Sequence, residues 1–235
     1  MTRRRKNFKP EDRRNQIFDC AQQLFQTKGY SRTSINDIMN IAGVSKGAFY
    51  HHFDSKEAMV DGLLRRYADQ IRGAYDAVLE TQGLTALDRY KLYLQILRDR
   101  QTLAEPQSMM LIIASLLNEE DSGFQDRLME EIVAAVVPVF SEVLRLGIVE
   151  GVFQIDDPVT AAPLIVRIAN QHRYVLKMAF GVKSAEDQKV VVKKIEDSLK
   201  MQGLAIDRLL GIPDGTTQLR DANYASDFVA KLHAK

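Results

Sequence analysis

Apolar residues recur at helical spacing through most of the chain, and the shortest example of this pattern is the most informative. Between residues 33 and 57, four apolar side chains at i, i+3, i+4 and i+7 share one face of a short helix: Ile35, Ile38, Met39 and Ala42. Gly43 ends that helix, and Ser45 can cap a second one that buries Phe49 and Phe53. The pattern predicts a helix, a tight turn and a second helix, the unit that places its second helix in the DNA major groove.

The neighbouring segments predict two more helices. The first begins near Pro10 and ends at Gly29, and its buried stripe consists of five residues: Ile17, Cys20, Ala21, Leu24 and Phe25. Thr33 or Ser34 caps the next helix, and Ser34 has Asp37 three residues later, as in a capping box. Residues 54–57, with the sequence DSKE, are a second capping signal. They predict a long helix that starts at Asp54 to Glu57, runs to about residue 80 and connects the N-terminal helices to the rest of the chain.

Helical spacing continues to about residue 213, with no strand pattern, internal repeat or low-complexity tract. The predicted helices cover residues 87–97, 109–117, 125–147, 158–180 and 184–211. Pro138 lies inside the third of these and should bend it, whereas Asp157 and Pro158 predict the start of the fourth.

The fold class that follows from these patterns is all-α, with three parts. A helix-turn-helix domain with a basic N-terminal arm is expected over residues 1–56, and a helical domain over residues 57–213. Residues 214–235 are expected to form a loosely attached tail with one helical turn around Phe228. A chain of 235 residues that is 46% hydrophobic has room for one small and one larger domain.

The net charge of +1 conceals an uneven distribution. Residues 1–56 hold 11 Lys or Arg against 5 Asp or Glu, a difference of +6, whereas residues 57–235 hold 21 against 26, a difference of −5. Four of the basic residues form an arm that could follow a duplex: Arg3, Arg4, Arg5 and Lys6. A basic tail by itself is more often a solubilising tail, but its position beside the helix-turn-helix favours nucleic acid as the partner.

Other function classes lack their sequence signals. We find no apolar run of 18 residues and no apolar segment after the basic N-terminus, so we expect a cytoplasmic protein without a membrane span or signal peptide. Cys20 is the single cysteine and cannot form an internal disulfide, and the four histidines have no metal-ligand spacing. No nucleophile elbow, phosphate loop or dinucleotide fingerprint occurs. We therefore expect no enzyme activity, no metal and no cofactor.

The N-terminal part resembles the tetracycline-repressor (TetR) family of bacterial regulators. The resemblance covers roughly residues 13–60 and is carried by Phe25, Gly29, Tyr30, Thr33, Ser34, Ile35, Ile38, Ala42, Gly43, Val44, Ser45, Lys46, Gly47, Tyr50, His52, Phe53, Lys56 and Glu57. It implies that residues 45–53 are the recognition helix. The DNA-binding residues that it implies are Thr33, Ser34, Ser45, Lys46, Gly47, Ala48, Tyr50, His51, His52 and Lys56.

These residue types suit contact with DNA. Lys46 can reach guanine or a phosphate, and Gly47 lets the backbone approach the groove closely. Tyr50 and His52 match positions that usually bind phosphate, and Lys56 lies near the positive end of the next helix. The role of His51 stays open, because it could equally be packed or face solvent.

The resemblance also implies a homodimer that represses transcription at a palindromic operator and is released by a small-molecule effector. The helices at 158–180 and 184–211 would form the dimer interface, with nine apolar positions: Val159, Ala162, Ile165, Ile168, Ala169, Leu176, Val191, Ile195 and Leu199. The alternative is a helical ligand-binding or protein-interaction protein without DNA-binding activity. Donors on the exposed side of the recognition helix argue against that alternative.

The effector site is expected in the second domain. Eleven side chains could line an apolar cavity with few polar groups, although residues of these types at helical spacing are more often plain core: Tyr67, Tyr75, Tyr90, Tyr93, Met109, Met110, Ile113, Phe124, Phe140, His172 and Tyr174. A polar cluster interrupts the helix predicted over 158–180, and it could orient a ligand or lie at the dimer seam: Asn170, Gln171, His172 and Arg173.

Overall fold

Helices follow one another through the part of the chain that the structure describes. The computed structural model describes residues 10–99, 122–171, 173–176 and 178–233, and every regular element within these ranges is helical. In chain order the helices are α1 (Pro10–Lys28), α2 (Ile35–Ala42), α3 (Lys46–His52), α4 (Lys56–Glu80), α5 (Ala86–Asp99), α6 (Ser122–Val149), α7 (Pro158–Asn170), α8 (Arg173–Leu176), α9 (Met178–Gly181), α10 (Ala185–Leu210) and α11 (Tyr224–His233). The predicted all-α class is confirmed. The helix predicted over 109–117 and the basic arm at 3–6 lie outside the described residues.

The described residues form two compact units, and the division lies inside α4. Residues up to Arg66 and residues 122–124 belong to the first unit, whereas Tyr67 to residue 99 and the chain from Gln125 onward form the second. Residues of α4 therefore belong to both units, as expected for a connecting helix. The domain limits at residues 56 and 213 stay predictions.

Capping interactions define the short helices of the first unit. The backbone N–H of Asp37 donates to the Ser34 hydroxyl at 3.1 Å, and the backbone N–H of Ser34 donates to the Asp37 carboxylate at 2.8 Å, which completes the predicted capping box. Lys28 donates to the same carboxylate at 2.7 Å, so this pair and the Ser34 bonds hold the pKa of Asp37 well below its usual range. Gly43 ends α2 with φ of +62°, a left-handed conformation that residues with a Cβ rarely adopt.

Ser55, not Asp54, caps α4. The backbone N–H of Ala58 donates to the Ser55 hydroxyl at 3.0 Å, and that of Met59 donates to the Ser55 carbonyl at 3.1 Å. Both residues are favourable N-cap types, so only the backbone path decides which of the two accepts these bonds. The predicted end of this helix near residue 80 is confirmed at Glu80.

α6 supplies a large part of the core of the second unit. Its buried residues are Leu128, Ile132, Ala135, Val136, Val139, Phe140, Val143 and Leu144. By length and composition the segment Asp126–Val149 could also cross a membrane, with a mean hydropathy of 2.1 over 18 residues, which corrects the expectation that the chain holds no such run. About half of that window, 44%, is buried inside the protein, as in the core helix of a folded domain. The helix continues through Pro138.

The single helix predicted over 158–180 is wrong. Asp157 caps α7 as expected, accepting from the backbone N–H of Val159 at 2.9 Å, but α7 ends at Asn170, and the helical residues described directly after it are Arg173–Leu176 and Met178–Gly181. The Asn170 side chain donates to the Val166 carbonyl at 2.7 Å, in the last turn of α7. Asparagine competes for backbone groups in this way and is a poor helix former, so Asn170 marks the end of α7.

The loosely attached tail predicted after residue 213 is also wrong. The chain forms α11, whose Ala225 and Val229 are buried together with Leu176, Ala179, Val191 and Ile195. The segment between α10 and α11 is anchored as well, because Thr217 and Leu219 are buried. These residues pack against elements from elsewhere in the chain, so local helical spacing could not reveal them.

Candidate nucleic-acid interface and effector cavity

Two phenylalanines hold α3 against the first unit. Phe49 is fully buried and Phe53, the C-cap residue, almost so, and their rings lie 5.7 Å apart between centroids. The Phe53 ring also lies 5.0 Å from the Phe18 ring of α1. Ser45 caps the other end of α3 by accepting from the backbone N–H of Ala48 at 3.2 Å. With one side fixed in this way, the opposite side of α3 faces outward.

That outward side carries the predicted DNA contacts. Lys46, Gly47, Tyr50 and His51 are exposed, and the Lys46 ammonium lies 5.9 Å from the centroid of the Tyr50 ring one turn along. Such a cation–π pair contributes about 0.5–1 kcal/mol at an exposed site, too little to explain why α3 carries both groups. The pair presents a charge and a phenolic hydroxyl on one surface.

The fold itself does not require glycine at position 47. A Cβ built at Gly47 meets no other atom within 4 Å, and its φ is not in the left-handed region. Glycine inside a helix is less favourable than alanine by about 1 kcal/mol. Gly47 therefore makes α3 less stable than alanine would. It also leaves the backbone uncovered at this position, which would let another molecule come close.

Both histidines of α3 lie near other basic groups. Their rings are 5.2 Å apart, with His51 exposed and His52 half-buried. Burial, followed by the charges of His51, Arg14 and Arg13, lowers the pKa of His52 below its ordinary value of 6.5. Sequence reasoning missed Arg14 as part of this basic surface. Its guanidinium lies 5.3 Å from the Phe18 ring centroid and 5.7 Å from that of Phe53, and the adjacent Arg13–Arg14 pair in α1 was the available signal.

Lys56 and Thr33 are engaged within the fold. The Lys56 ammonium donates to the Tyr30 carbonyl at 2.5 Å and lies 3.6 Å from the centroid of the Tyr30 ring. Thr33 is buried, and its hydroxyl donates to the Gly29 carbonyl at 2.7 Å. Of the two residues proposed for the start of α2, Ser34 is the exposed one.

A small apolar cavity lies in the second unit, with a volume of about 30 Å³, enough for one or two water molecules. Its described lining is Tyr75, Tyr90, Tyr93, Leu94, Leu97, Ile132, Val136, Phe140, Ile165, Val166, Ala169, Asn170, Ile206 and Leu219. The rings of Tyr75 and Tyr93 lie 4.4 Å apart and those of Tyr93 and Phe140 4.6 Å apart, so three aromatic side chains form one continuous stack.

Four of the predicted effector residues line this cavity: Tyr75, Tyr90, Tyr93 and Phe140. Tyr67 is half-buried on α4 and is not among the lining residues. Met109, Met110, Ile113 and His172 lie outside the described residues, as do the side chains of Phe124 and Tyr174. Sequence reasoning missed Ile206 and Leu219, which reach the cavity from the far C-terminal part of the chain.

The predicted dimer positions are mostly intrachain core. Ala162, Ile165, Ala169, Leu176, Val191 and Ile195 are buried within the chain, and Leu199 packs against the cluster that contains Ile195. Of the nine positions, Val159 is strongly exposed, at 69%. Further large apolar side chains are exposed on α7, α9 and α10, namely Leu164, Met178, Val190 and Met201.

Metal ligands do not cluster in the part of the chain that the structure describes. No group of three or more His, Cys, Asp or Glu residues there is arranged to hold an ion.

Comparison with known sequences identifies relatives of both the N-terminal unit and a longer part of the chain. Residues 17–63 match the family model of the bacterial regulatory proteins of the tetR family. The HTH-type transcriptional repressor KstR2 of Mycobacterium tuberculosis (strain ATCC 25618 / H37Rv) is 31% identical over 158 residues, which cover 61% of this chain and 70% of that protein. KstR2 of Rhodococcus jostii (strain RHA1) is 29% identical over 150 residues, covering 64% and 72% of the two chains.

Solved structures share the fold over most of the chain. A TetR-family transcriptional regulator from Pectobacterium atrosepticum has a TM-score of 0.60 at 18% identity, over 89% of this chain and 100% of that one. The fatty acid degradation regulator FadR from Bacillus halodurans has a TM-score of 0.56 at 16% identity, over 98% and 100%.

Proposed function

Since the chain belongs to the TetR family of bacterial regulatory proteins and is a DNA-binding transcriptional regulator, we propose that it is a cytoplasmic repressor of the following kind. It binds a palindromic operator as a homodimer, and a small apolar molecule releases it. The repressor assignment is supported by the KstR2 relatives, which are named as transcriptional repressors. Members of the family bind operator DNA and usually act as dimers with small-molecule effectors.

The outward side of α3 is the observation that carries the proposal. Lys46 and Tyr50 are exposed on a helix whose opposite side is fixed by Phe49, and Gly47 weakens that helix without any need inside the fold. A short reading helix makes few base contacts, so two copies are needed for specific affinity. Ser34, His51 and His52 would add contacts to the phosphate backbone.

Selection of bound fragments from genomic DNA tests this proposal directly. The purified full chain should enrich a small set of fragments that share a palindrome, and its affinity for them should fall as salt rises, because phosphate contacts release counterions. Absence of binding to every fragment, even at low salt, would support the alternative of a helical ligand-binding or protein-interaction protein without DNA-binding activity.

The second unit supports effector control. Its cavity is apolar and lined by a stack of aromatic rings, which is the usual composition of a small-molecule site. We propose that α4 transmits the effect, because Tyr75 on this helix lines the cavity and the same helix begins at Lys56, beside the first unit's Tyr30. To release the operator, the effector must favour the released form by about 3–5 kcal/mol, since equal binding to both forms shifts nothing.

A further inference from the structure

The segment between α10 and α11, residues 212–221, is tied to α10 by a buried carboxylate, and we call it the C-terminal strap. Asp207 of α10 is 0% exposed and accepts from two backbone N–H groups of the strap, that of Gly215 at 2.7 Å and that of Thr217 at 2.8 Å. A buried polar group is costly unless it is hydrogen-bonded, so these two bonds fix the strap in one position on α10.

Three further contacts fix the same segment. The hydroxyls of Thr217 and Tyr90 lie 2.5 Å apart in a buried hydrogen bond, which joins the strap to α5. Arg98, also on α5, donates to the Gln218 carbonyl at 2.8 Å. On the α10 side the strap backbone approaches so closely that a Cβ at Gly203 would overlap the Thr217 carbonyl oxygen. The strap is therefore held from both sides, and a glycine is needed where it crosses α10.

This anchoring places Leu219 in the wall of the cavity. Leu219 is buried, and it lines the cavity together with Tyr90, whose hydroxyl is the one bonded to the strap. We propose that the C-terminal strap is a built-in wall of the effector cavity and that Leu219 sets the size of the apolar molecule that fits. The proposal rests on the effector role of this cavity for its biological meaning, but Leu219 limits the volume of the cavity whether or not an effector binds there.

The described lining also indicates the chemical class of the ligand. All fourteen of these side chains are formally uncharged, and the polar groups among them are tyrosine hydroxyls and the Asn170 amide. An ionised group placed against them would lose its hydration without gaining a partner of opposite charge. The part of the ligand that lies against Leu219 is therefore uncharged and apolar.

Benzene is a suitable probe, because the cavity as it stands is smaller than one that binds benzene well, so the wild type should bind it only weakly. An apolar cavity of about 150 Å³ binds benzene, whereas this one measures about 30 Å³. Leu219→Ala removes side-chain volume next to the cavity, so benzene should bind the full-length variant about ten-fold or more tightly than the wild type, the gain expected of a new cavity of that size. Methyl NMR locates the binding, since Ile132, Ile165 and Ile206 line the cavity and Ile38 lies in the first unit.

The control is Leu144→Ala, which truncates a fully buried leucine of α6 that does not line the cavity. In this variant the three cavity isoleucines should not respond to benzene, even if Leu144→Ala destabilises the protein as much as Leu219→Ala does. Leu219→Val, a smaller truncation, should give a smaller gain and covers the case in which Leu219→Ala does not fold. Equal benzene responses of the wild type and both Leu219 variants at these methyls would overturn the proposal. The experiment uses neither DNA nor effector. The Leu219 variants can therefore fail to gain benzene binding while operator binding and effector release are observed, and they can gain it when those two are not observed.

Discussion

At the residue scale, Gly47 should lower the stability of the first unit and favour operator binding. Because its Cβ would meet nothing in the fold, Gly47→Ala should raise the free energy of unfolding of the first unit by up to about 1 kcal/mol. The same methyl lies on the outward side of α3, where we expect it to reduce operator affinity. Urea denaturation and fluorescence anisotropy with labelled operator measure the two effects.

A matched control for this change is Gly73→Ala. Gly73 is also helical and exposed, on α4, and a Cβ there meets nothing within 4 Å. This variant should gain stability and keep its operator affinity. If Gly47→Ala binds the operator as well as Gly73→Ala does, position 47 does not approach DNA.

His52 should make the protein less stable in acid. Burial and nearby positive charge lower its pKa below 6.5, so between the lowered pKa and 6.5 the unfolded chain binds more protons at this site than the folded chain. The free energy of unfolding therefore falls as pH drops through that window, and above the window this site has no effect. His52→Gln should lose less stability than the wild type between about pH 7.5 and pH 5.5, measured as the change in Tm.

His51→Gln is the comparison for that experiment. It removes the second of the causes that lower the His52 pKa and leaves burial in place, so the acid-induced loss of Tm should shrink only partly. An identical loss in the wild type and in His52→Gln would show that other groups control the pH dependence.

At the scale of elements, the sequence predicted helix ends correctly where the end depends on residues next to it in the chain. Ser34, Gly43 and Ser45 each cap a helix as the sequence predicts. The sequence did not predict the strap, because its hydrogen-bond partners lie far away in the chain: Tyr90 and Thr217 are 127 positions apart. The end of α7 escaped it because apolar spacing continues past Asn170, although the helix does not.

The candidate sites differ in the same way, because α3 depends on local residues and the cavity on distant ones. The outward residues of α3 could be predicted because a two-turn helix with two buried phenylalanines leaves one free side. The cavity could be predicted only in part. Tyr75, Tyr90, Tyr93 and Phe140 have the helical spacing of any core residue, and the contribution of Leu219 depends on the buried hydrogen bonds of the strap.

The Tyr90–Thr217 bond gives the prediction at the element scale. Thr217→Val keeps the shape of the side chain and removes its hydroxyl, which leaves the buried Tyr90 hydroxyl without this partner. We expect a loss of about 1–3 kcal/mol in the free energy of unfolding. Thr217→Ser should lose less, because it retains the hydroxyl.

Adding Tyr90→Phe to Thr217→Val removes both hydroxyls of the bond. The double variant should cost less than the sum of the two single changes, and urea denaturation of the four proteins gives the coupling. If the losses in the free energy of unfolding of the two single variants add up to that of the double variant, the bond contributes nothing to holding the strap.

At the scale of the whole molecule, the exposed apolar residues of the second unit should form the dimer interface. Val159 on α7 is 69% exposed and Met201 on α10 is 66% exposed. Val159→Glu together with Met201→Glu should give a folded monomer, as measured by analytical ultracentrifugation, because burying two unpaired carboxylates is costly. Val149→Glu is the control, since Val149 is equally exposed, at 74%, but lies on α6. A double variant that stays dimeric would place the interface elsewhere.

The affinity of Lys46→Ala for the operator and for a scrambled duplex of equal length tests whether α3 reads the DNA sequence. Lys46 suits this test better than Lys56, because the Lys56 ammonium also holds the Tyr30 carbonyl and its removal would disturb the fold. Lys200→Ala, which removes an exposed charge on α10, is the control. If Lys46 reads a base, its loss costs about 1–3 kcal/mol on the operator and much less on the scrambled duplex, while Lys200→Ala matches the wild type on both. Unchanged discrimination between the two duplexes in Lys46→Ala would contradict the assignment of α3 as the reading helix.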